Sequence, residues 1–306
     1  MDSIEFPFTE SYSGACPACR FVIPALGEVS ATYFENGFVK CSNCEHKIDL
    51  WKATLERVIR LAGFSHSLAA LGPRVTHLKL RLRAHQTIEL DLTRHGVSEG
   101  ATVLSMIYTP QGGNCIPLET HSNMPHRRFR GTKTYLYGVQ MRTSDGEPIE
   151  EEFLGENISV VVLWAPVEDS DVPWLYLVDA IEALTLGRLS QAIVPAHAAA
   201  EISITPVVRQ FLLKYSARES VERLLKQELG FSSILNVVVP LVCALVSAKP
   251  LPDEIRGNLN TLRKLRNEFV HDGVLPSQVN PQQVRQLLCA AAFGFEYGKY
   301  LRRFLT

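Results

Sequence analysis

Apolar and polar residues repeat with different periods along this 306-residue chain, and the changes of period divide it into segments. Leu55, Val58, Ile59 and Ala62 recur at helical spacing and stop at Gly63, which predicts a helix from about residue 50. The period then drops to two. Leu78-Lys79-Leu80-Arg81-Leu82-Arg83 alternates strictly, as does Ile88-Glu89-Leu90-Asp91-Leu92, so both predict strands with one buried face. Further strands are expected at 101–108, 135–141 and 158–164, separated by turns at Gly112-Gly113-Asn114 and Ser144-Asp145-Gly146. Beyond Asp169, Asp171 and Pro173 the helical period returns and stays. It predicts helices at about 174–187, 190–214, 217–229, 232–247, 253–271 and 281–304. Asp253 is the expected cap of the fifth helix, whose buried stripe is Ile255, Leu259, Leu262, Leu265 and Phe269. Asn280-Pro281 opens the sixth, with Val284, Leu287, Leu288, Ala291 and Phe295 facing inward.

The first 48 residues follow a different logic. Cys16-Pro17-Ala18-Cys19 and Cys41-Ser42-Asn43-Cys44 are two CxxC knuckles at the spacing of a four-cysteine zinc site, similar to zinc ribbons. A redox pair is the competing reading of one CxxC, but two at this distance favour the metal. Four thiolates leave the ion no open position, so Cys16, Cys19, Cys41 and Cys44 predict a structural zinc and no catalytic metal. Between the knuckles, Val29, Thr32, Phe34, Phe38 and Val39 with Asn36-Gly37 predict a short hairpin. His46 is expected to face solvent. The expected fold class is thus a multidomain α+β protein: a zinc ribbon at 1–48, a linking helix at 49–69, a β-rich, sandwich-like recognition domain at 70–168 and an all-helical bundle at 169–306.

Composition narrows the partners. Hydrophobic residues make up 46% and charged residues 21%, as in ordinary soluble globular proteins. A net charge of −1 excludes a broad positive field, so contact with nucleic acid must use local patches. The opening residues Met-Asp-Ser-Ile-Glu-Phe-Pro carry no basic segment and no long apolar run, so no secretory leader is expected. Ile234–Val246, interrupted by Asn236 and Pro240, is too short to span a bilayer and reads as a buried core helix. Seven cysteines, four of them claimed by the metal motif, point to the reducing cytoplasm. Cys243 and Cys289 fall on apolar helix faces, and nothing near Cys115 activates it. His66, His77, His85, His95 and His121 show no ligand spacing, and no phosphate-binding glycine loop, nucleophile elbow or HExxH is present.

The remaining candidate chemistry closes the fifth helix. Arg266-Asn267-Glu268-Phe269-Val270-His271 precedes Asp272-Gly273, with Asn267 and His271 four apart on one face and Arg266 about 100° round from Asn267. An imidazole beside a permanent guanidinium suits gripping or cleaving a phosphodiester. The same Arg and His also suit an ordinary helix C-terminus, where cations favour the dipole and Gly273 is a stop signal.

Arg-(four residues)-His with a polar residue after the Arg, late in an all-helical C-terminal domain, resembles the HEPN family of metal-independent ribonucleases. The resemblance covers about the last 130 residues. It implies RNA cleavage by 2′-hydroxyl attack on the adjacent phosphorus, leaving a 2′,3′-cyclic phosphate and a 5′-hydroxyl. His271 would transfer the proton, Arg266 would stabilise the phosphoryl oxygens, and Asn267 would orient the phosphate or the imidazole. Ala196-His197-Ala198-Ala199-Ala200-Glu201 looks like the family's acidic element, so Glu201 would hold or polarise Arg266 or His271. The family also implies a homodimer in which two motifs share a cleft. The apolar content of 232–247 and 281–304, more than a small bundle buries alone, is consistent with one. By resemblance the role is bacterial antiphage defence or a toxin cutting tRNA or other RNA, with the activating ligand or partner undefined. His126–Lys133, with Arg127, Arg128 and Arg130 around Phe129, could bind the RNA strand by charge and stacking, or be an exposed loop between strands. The alternative function is a non-catalytic HEPN-like dimerisation scaffold whose ribbon and β domain bind a protein or nucleic acid.

Overall fold

The computed structural model describes residues 14–60, 70–71, 74–110, 115–119, 129–130, 133–140, 155–165 and 171–305. The chain forms two compact units. One is Gly72–Asp171, and the other joins 12–71 to 172–306 across that insertion.

The joined unit begins with two short hairpins, β1 (Gly14–Ala15) with β2 (Val22–Ile23) and β3 (Val39–Lys40) with β4 (Lys47–Ile48). Between them runs a helix, α1 (Leu26–Asn36), where a hairpin is predicted. Leu26, Ser30, Tyr33 and Phe34 are its buried residues, a spacing that fits 3.6 residues per turn and not two. Asn36-Gly37 is a helix stop here. Gly37 adopts φ 79° and its N–H donates to Tyr33 O at 2.7 Å. After β4 comes α2 (Leu50–Arg60), which buries Leu50, Trp51, Thr54 and Val58.

Six predicted C-terminal helical segments are present, with small shifts at their ends. They are α3 (Asp171–Thr185), α4 (Leu189–Leu213), α5 (Arg218–Arg223) running into a π-helical turn Leu224–Glu228, α6 (Phe231–Ser233) and α7 (Val239–Val246) joined by the π-helical turn Ile234–Val238, α8 (Asp253–Asp272) and α9 (Pro281–Arg302). Asp253 is the first helical residue of α8 and pairs with Arg256 at 2.6 Å, while Pro252 occupies the cap position. Ile255, Leu259, Leu262 and Leu265 are buried as expected, and Phe269 is half-buried. Asn280 caps α9 by accepting from the Gln283 N–H at 2.9 Å.

Helix α9 is the centre of the unit. Every residue from Leu287 to Gly298 is buried, so it is covered on all sides, as an all-round apolar helix must be. Helices α4 and α8 cover part of it, and α1 and α2 from the N-terminal segment cover the rest. Phe293 meets Tyr33 and Trp51 edge-on at ring separations of 5.8 and 5.3 Å, and Phe34 meets Tyr297 at 5.1 Å. Ser30 Oγ donates to Glu296 Oε2 at 3.2 Å across the same seam. The described residues 14–60, which fall in the segments predicted as a ribbon at 1–48 and a linking helix at 49–69, therefore do not stand apart from the bundle of helices at 172–305. They complete its core, each fully buried large side chain contributing about 1.5–3 kcal/mol. The apolar content of 281–304 is consumed within the chain. In contrast, 232–247 is not a wholly buried helix. Ile234, Leu235, Val239, Val242 and Cys243 face inward, while Val237, Leu241 and Leu245 form a stripe 55–71% exposed. Among the described residues no single helix is long and apolar enough to cross a membrane.

The inserted unit holds β5 (Arg74–Arg83), β6 (Thr87–Asp91), β7 (Thr102–Pro110), β8 (Cys115–Glu119), β9 (Phe129–Arg130), β10 (Lys133–Gln140) and β11 (Gly155–Ala165). They form two antiparallel sheets, ordered β6-β10-β8 and β5-β11-β7-β9. Leu78 and Leu82, Leu90, Val103 and Met106, Leu136, and Ile158, Val160 and Val162 come from both sheets and share one core. The alternation around residues 78–92 is the alternation of that buried face.

Candidate metal centre and the Arg266 cluster

The two knuckles repeat one backbone design. Cys16 N–H donates to Phe21 O at 2.8 Å and Arg20 N–H to Cys16 O at 2.9 Å; Cys41 N–H donates to His46 O at 2.9 Å and Glu45 N–H to Cys41 O at 3.0 Å. Arg20 and Glu45 hold the equivalent left-handed position, with φ 63° and 59°. This turn swings the second cysteine of each pair back toward the first. All four sulfurs lie within 4.8 Å of one another, with Cys16 Sγ 3.6 Å from Cys44 Sγ and Cys19 Sγ 3.5 Å from Cys41 Sγ. A tetrahedron with metal–sulfur bonds of about 2.3 Å has edges of about 3.8 Å, so this set fits a four-coordinate thiophilic ion and is too open for disulfides. Cys16, Cys19, Cys41 and Cys44 are thus positioned to hold a metal ion. The Asn43 side chain and the Phe21 backbone hold the Cys19 thiol down to about 6. The His46 backbone N–H favours a Cys44 thiolate, but hydrogen bonding to Cys19, burial and the neighbouring sulfurs push Cys44 up to about 12. Cys19 thus favours its thiolate while Cys44 resists one, a conflict of charge that a bound divalent ion relieves. His46 is exposed, as expected.

The second cluster lies between α4 and α8. Arg263 and Arg266, one turn apart on α8, act electrostatically on His197 of α4, and Arg266 also acts on Glu201. His197 is 5% exposed, its ring met edge-on by Phe231 at 5.2 Å. Burial, then Arg266 and Arg263, lower its pKa to about 4, so near neutral pH the imidazole is uncharged and Nδ1–H can donate to Glu201 Oε2, 3.4 Å away. Burial pushes Glu201 up, and Arg266 opposes this. Arg266 Nη1 donates in turn to Asn267 Oδ1 at 3.1 Å. His197 Nε2 and Arg263 Nε are buried without hydrogen-bond partners.

The predicted site residues therefore divide. Arg266 hydrogen-bonds Asn267 and acts on Glu201 through its charge, so these three lie in one neighbourhood. His271 is exposed at the end of α8, about 140° round the helix from Arg266. His197 was passed over in the sequence, although its four-residue spacing from Glu201 inside Ala196–Glu201 was the available signal. Of the basic stretch, Arg127 and Arg128 lie outside the described residues, and Arg130 lies in β9, which pairs with β7. Comparison of the chain with family models, curated proteins and solved structures finds no match.

Proposed function

We propose that the protein is an endoribonuclease of the HEPN type, cutting RNA by 2′-hydroxyl attack without a catalytic metal, in a reducing compartment and in the service of defence or toxicity. The observation that supports this most is the Arg266 guanidinium, hydrogen-bonded to Asn267 on α8 and close enough to α4 to act electrostatically on Glu201 and His197. In this reading Arg266 stabilises charge on the phosphoryl oxygens and His271 moves the proton. Zinc at the four cysteines has a structural role only. Arg266 and His271 diverge within one chain, so the site is completed in a homodimer, for which the stripe Val237, Leu241 and Leu245 supplies an apolar surface.

That same divergence favours the second reading, a non-catalytic scaffold in which Arg266 serves only to balance the charge of Glu201. Incubation of wild type, Arg266→Ala and His271→Ala with total RNA in the presence of EDTA separates the two. The nuclease reading expects cyclic-phosphate ends from wild type and losses of about 10²–10⁴-fold for His271→Ala. Both variants cleaving like wild type, or no cleavage by a folded, dimeric wild type expressed under conditions where it is toxic, would leave the scaffold.

A further inference from the structure

We propose that the cleft between the first knuckle and α2 binds the phosphate groups of single-stranded nucleic acid. It is a cavity of about 420 Å³ whose walls are β1, the Cys16–Arg20 turn, the end of β4 and one face of α2. That volume lies in the range of pockets that hold small organic groups, about 300–1,000 Å³. Its lining is cationic in a chain whose net charge is −1. Arg20 enters from the knuckle, Lys47 from β4, and Lys52, Arg57 and Arg60 from successive turns of α2. The two carboxylates present, Asp49 and Glu56, pair with Lys52 at 3.6 Å and Arg60 at 4.0 Å. Both pairs are exposed, so a phosphate can replace either carboxylate at little loss. Among the described lining residues five cations stand against two carboxylates.

Two further observations select a nucleic-acid strand over a bare anion. Lys47 Nζ sits 4.6 Å over the Phe38 ring, which fixes the stem of one cation at the mouth. Phe21, next in sequence to Arg20, is 45% exposed although it is a large aromatic residue. Single-strand binders track a phosphodiester backbone with a positive groove while a base stacks on an exposed ring, and Phe21 follows the cleft residue Arg20 directly in the chain. Arg57, 7% exposed, sets the inner end of the cleft.

The test uses the full-length, metal-loaded protein and a fluorescent single-stranded 2′-O-methyl oligonucleotide, followed by anisotropy across a salt series. This ligand cannot undergo 2′-hydroxyl attack, so binding is read separately from any cleavage. Wild type should bind with affinity that falls steeply with salt. Lys47→Glu with Arg60→Glu should weaken binding roughly tenfold or more and flatten the salt slope by about one unit per lost contact. Phe21→Ala should weaken it at least about fivefold. Lys226→Glu, an exposed cation elsewhere in the same unit, should change nothing. Metal content equal to wild type certifies that the variants are folded. Absence of binding, or binding indifferent to the cleft variants, overturns the proposal. A mononucleotide or inorganic phosphate that competes as well as the strand does would overturn its strand half and assign the cleft to free phosphate compounds.

Discussion

One methyl group should have opposite effects at two glycines, because one helix is buried on every side and the other is not. Gly298 of α9 faces Ser203 of α4 so closely that a Cβ would stand 2.7 Å from the Ser203 carbonyl oxygen and 2.9 Å from its carbonyl carbon. Both are backbone atoms and cannot rotate away. Ser203 Oγ, which donates to Phe295 O at 2.9 Å, would also have to leave that bond. Alanine is favoured over glycine within a helix by about 1 kcal/mol. Against this stand about 1–3 kcal/mol for overpacking and about 1 kcal/mol for the hydrogen bond. Gly298→Ala should therefore destabilise the helical unit by about 1–3 kcal/mol. Gly257 of α8 has nothing within 4 Å of its would-be Cβ, so Gly257→Ala should stabilise by up to about 1 kcal/mol. Urea unfolding followed by far-ultraviolet circular dichroism, which is dominated by this unit, measures both. If Gly298→Ala matches or exceeds wild type while Gly257→Ala falls below it, the close α4–α9 contact is wrong.

Cys41→Ser should remove the bound metal, read by elemental analysis, and loosen α1 from α9, because the knuckles have almost no core of their own. Acid should weaken the helical unit through His197: its folded pKa of about 4 lies below 6.5, so the unfolded chain takes up a proton that the fold refuses. Stability from this group is complete above pH 6.5 and falls by about 3 kcal/mol on descending to pH 4, with the raised Glu201 offsetting part. His197→Asn should flatten that stretch of a stability-versus-pH curve, and an unchanged slope would contradict the buried neutral imidazole. Leu241→Glu, in the exposed stripe, should shift any dimer seen by sedimentation toward monomer without lowering the melting temperature of the monomer.

Most helices and strands were legible because their periods are long and unmixed. The alternation from Leu78 to Arg83 and the stripe from Ile255 to Leu265 each match a buried face. The error at residues 26–36 has a specific cause. Asn-Gly ends a helix as readily as it turns a hairpin, and eleven residues framed by cysteines offer too few turns for the period to decide. The grouping of 12–71 with 172–306 was not legible at all, since contacts such as Phe34 with Tyr297 carry no local signature. For the sites, cysteine spacing identified the four converging thiols in full. Glu201 was singled out by its alanine-rich setting, whereas the reach of the Arg266 charge to Glu201 and His197 depends on which face of α8 packs against α4, and spacing within α8 does not fix that. The basic cleft escaped notice because its cations are scattered between residues 20 and 60 and never form a run.

Because α1 and α2 bury their aromatic residues against α9, synthesis of this chain imposes a wait. Tyr33, Phe34 and Trp51 leave the ribosome more than two hundred residues before Phe293, Tyr297 and Tyr300 do. At about 5–20 residues per second the interval is on the order of 10–50 s. During it the inserted β unit has its own core to fold around, whereas the aromatic face of the nascent N-terminal segment stays wet. Ribosome-bound chains stopped before residue 281 should therefore be cut by protease within α1, and full-length chains should not. Early capture of a metal by the knuckles would shape the segment without covering that face, leaving it open to chaperones until the final helix emerges to claim it.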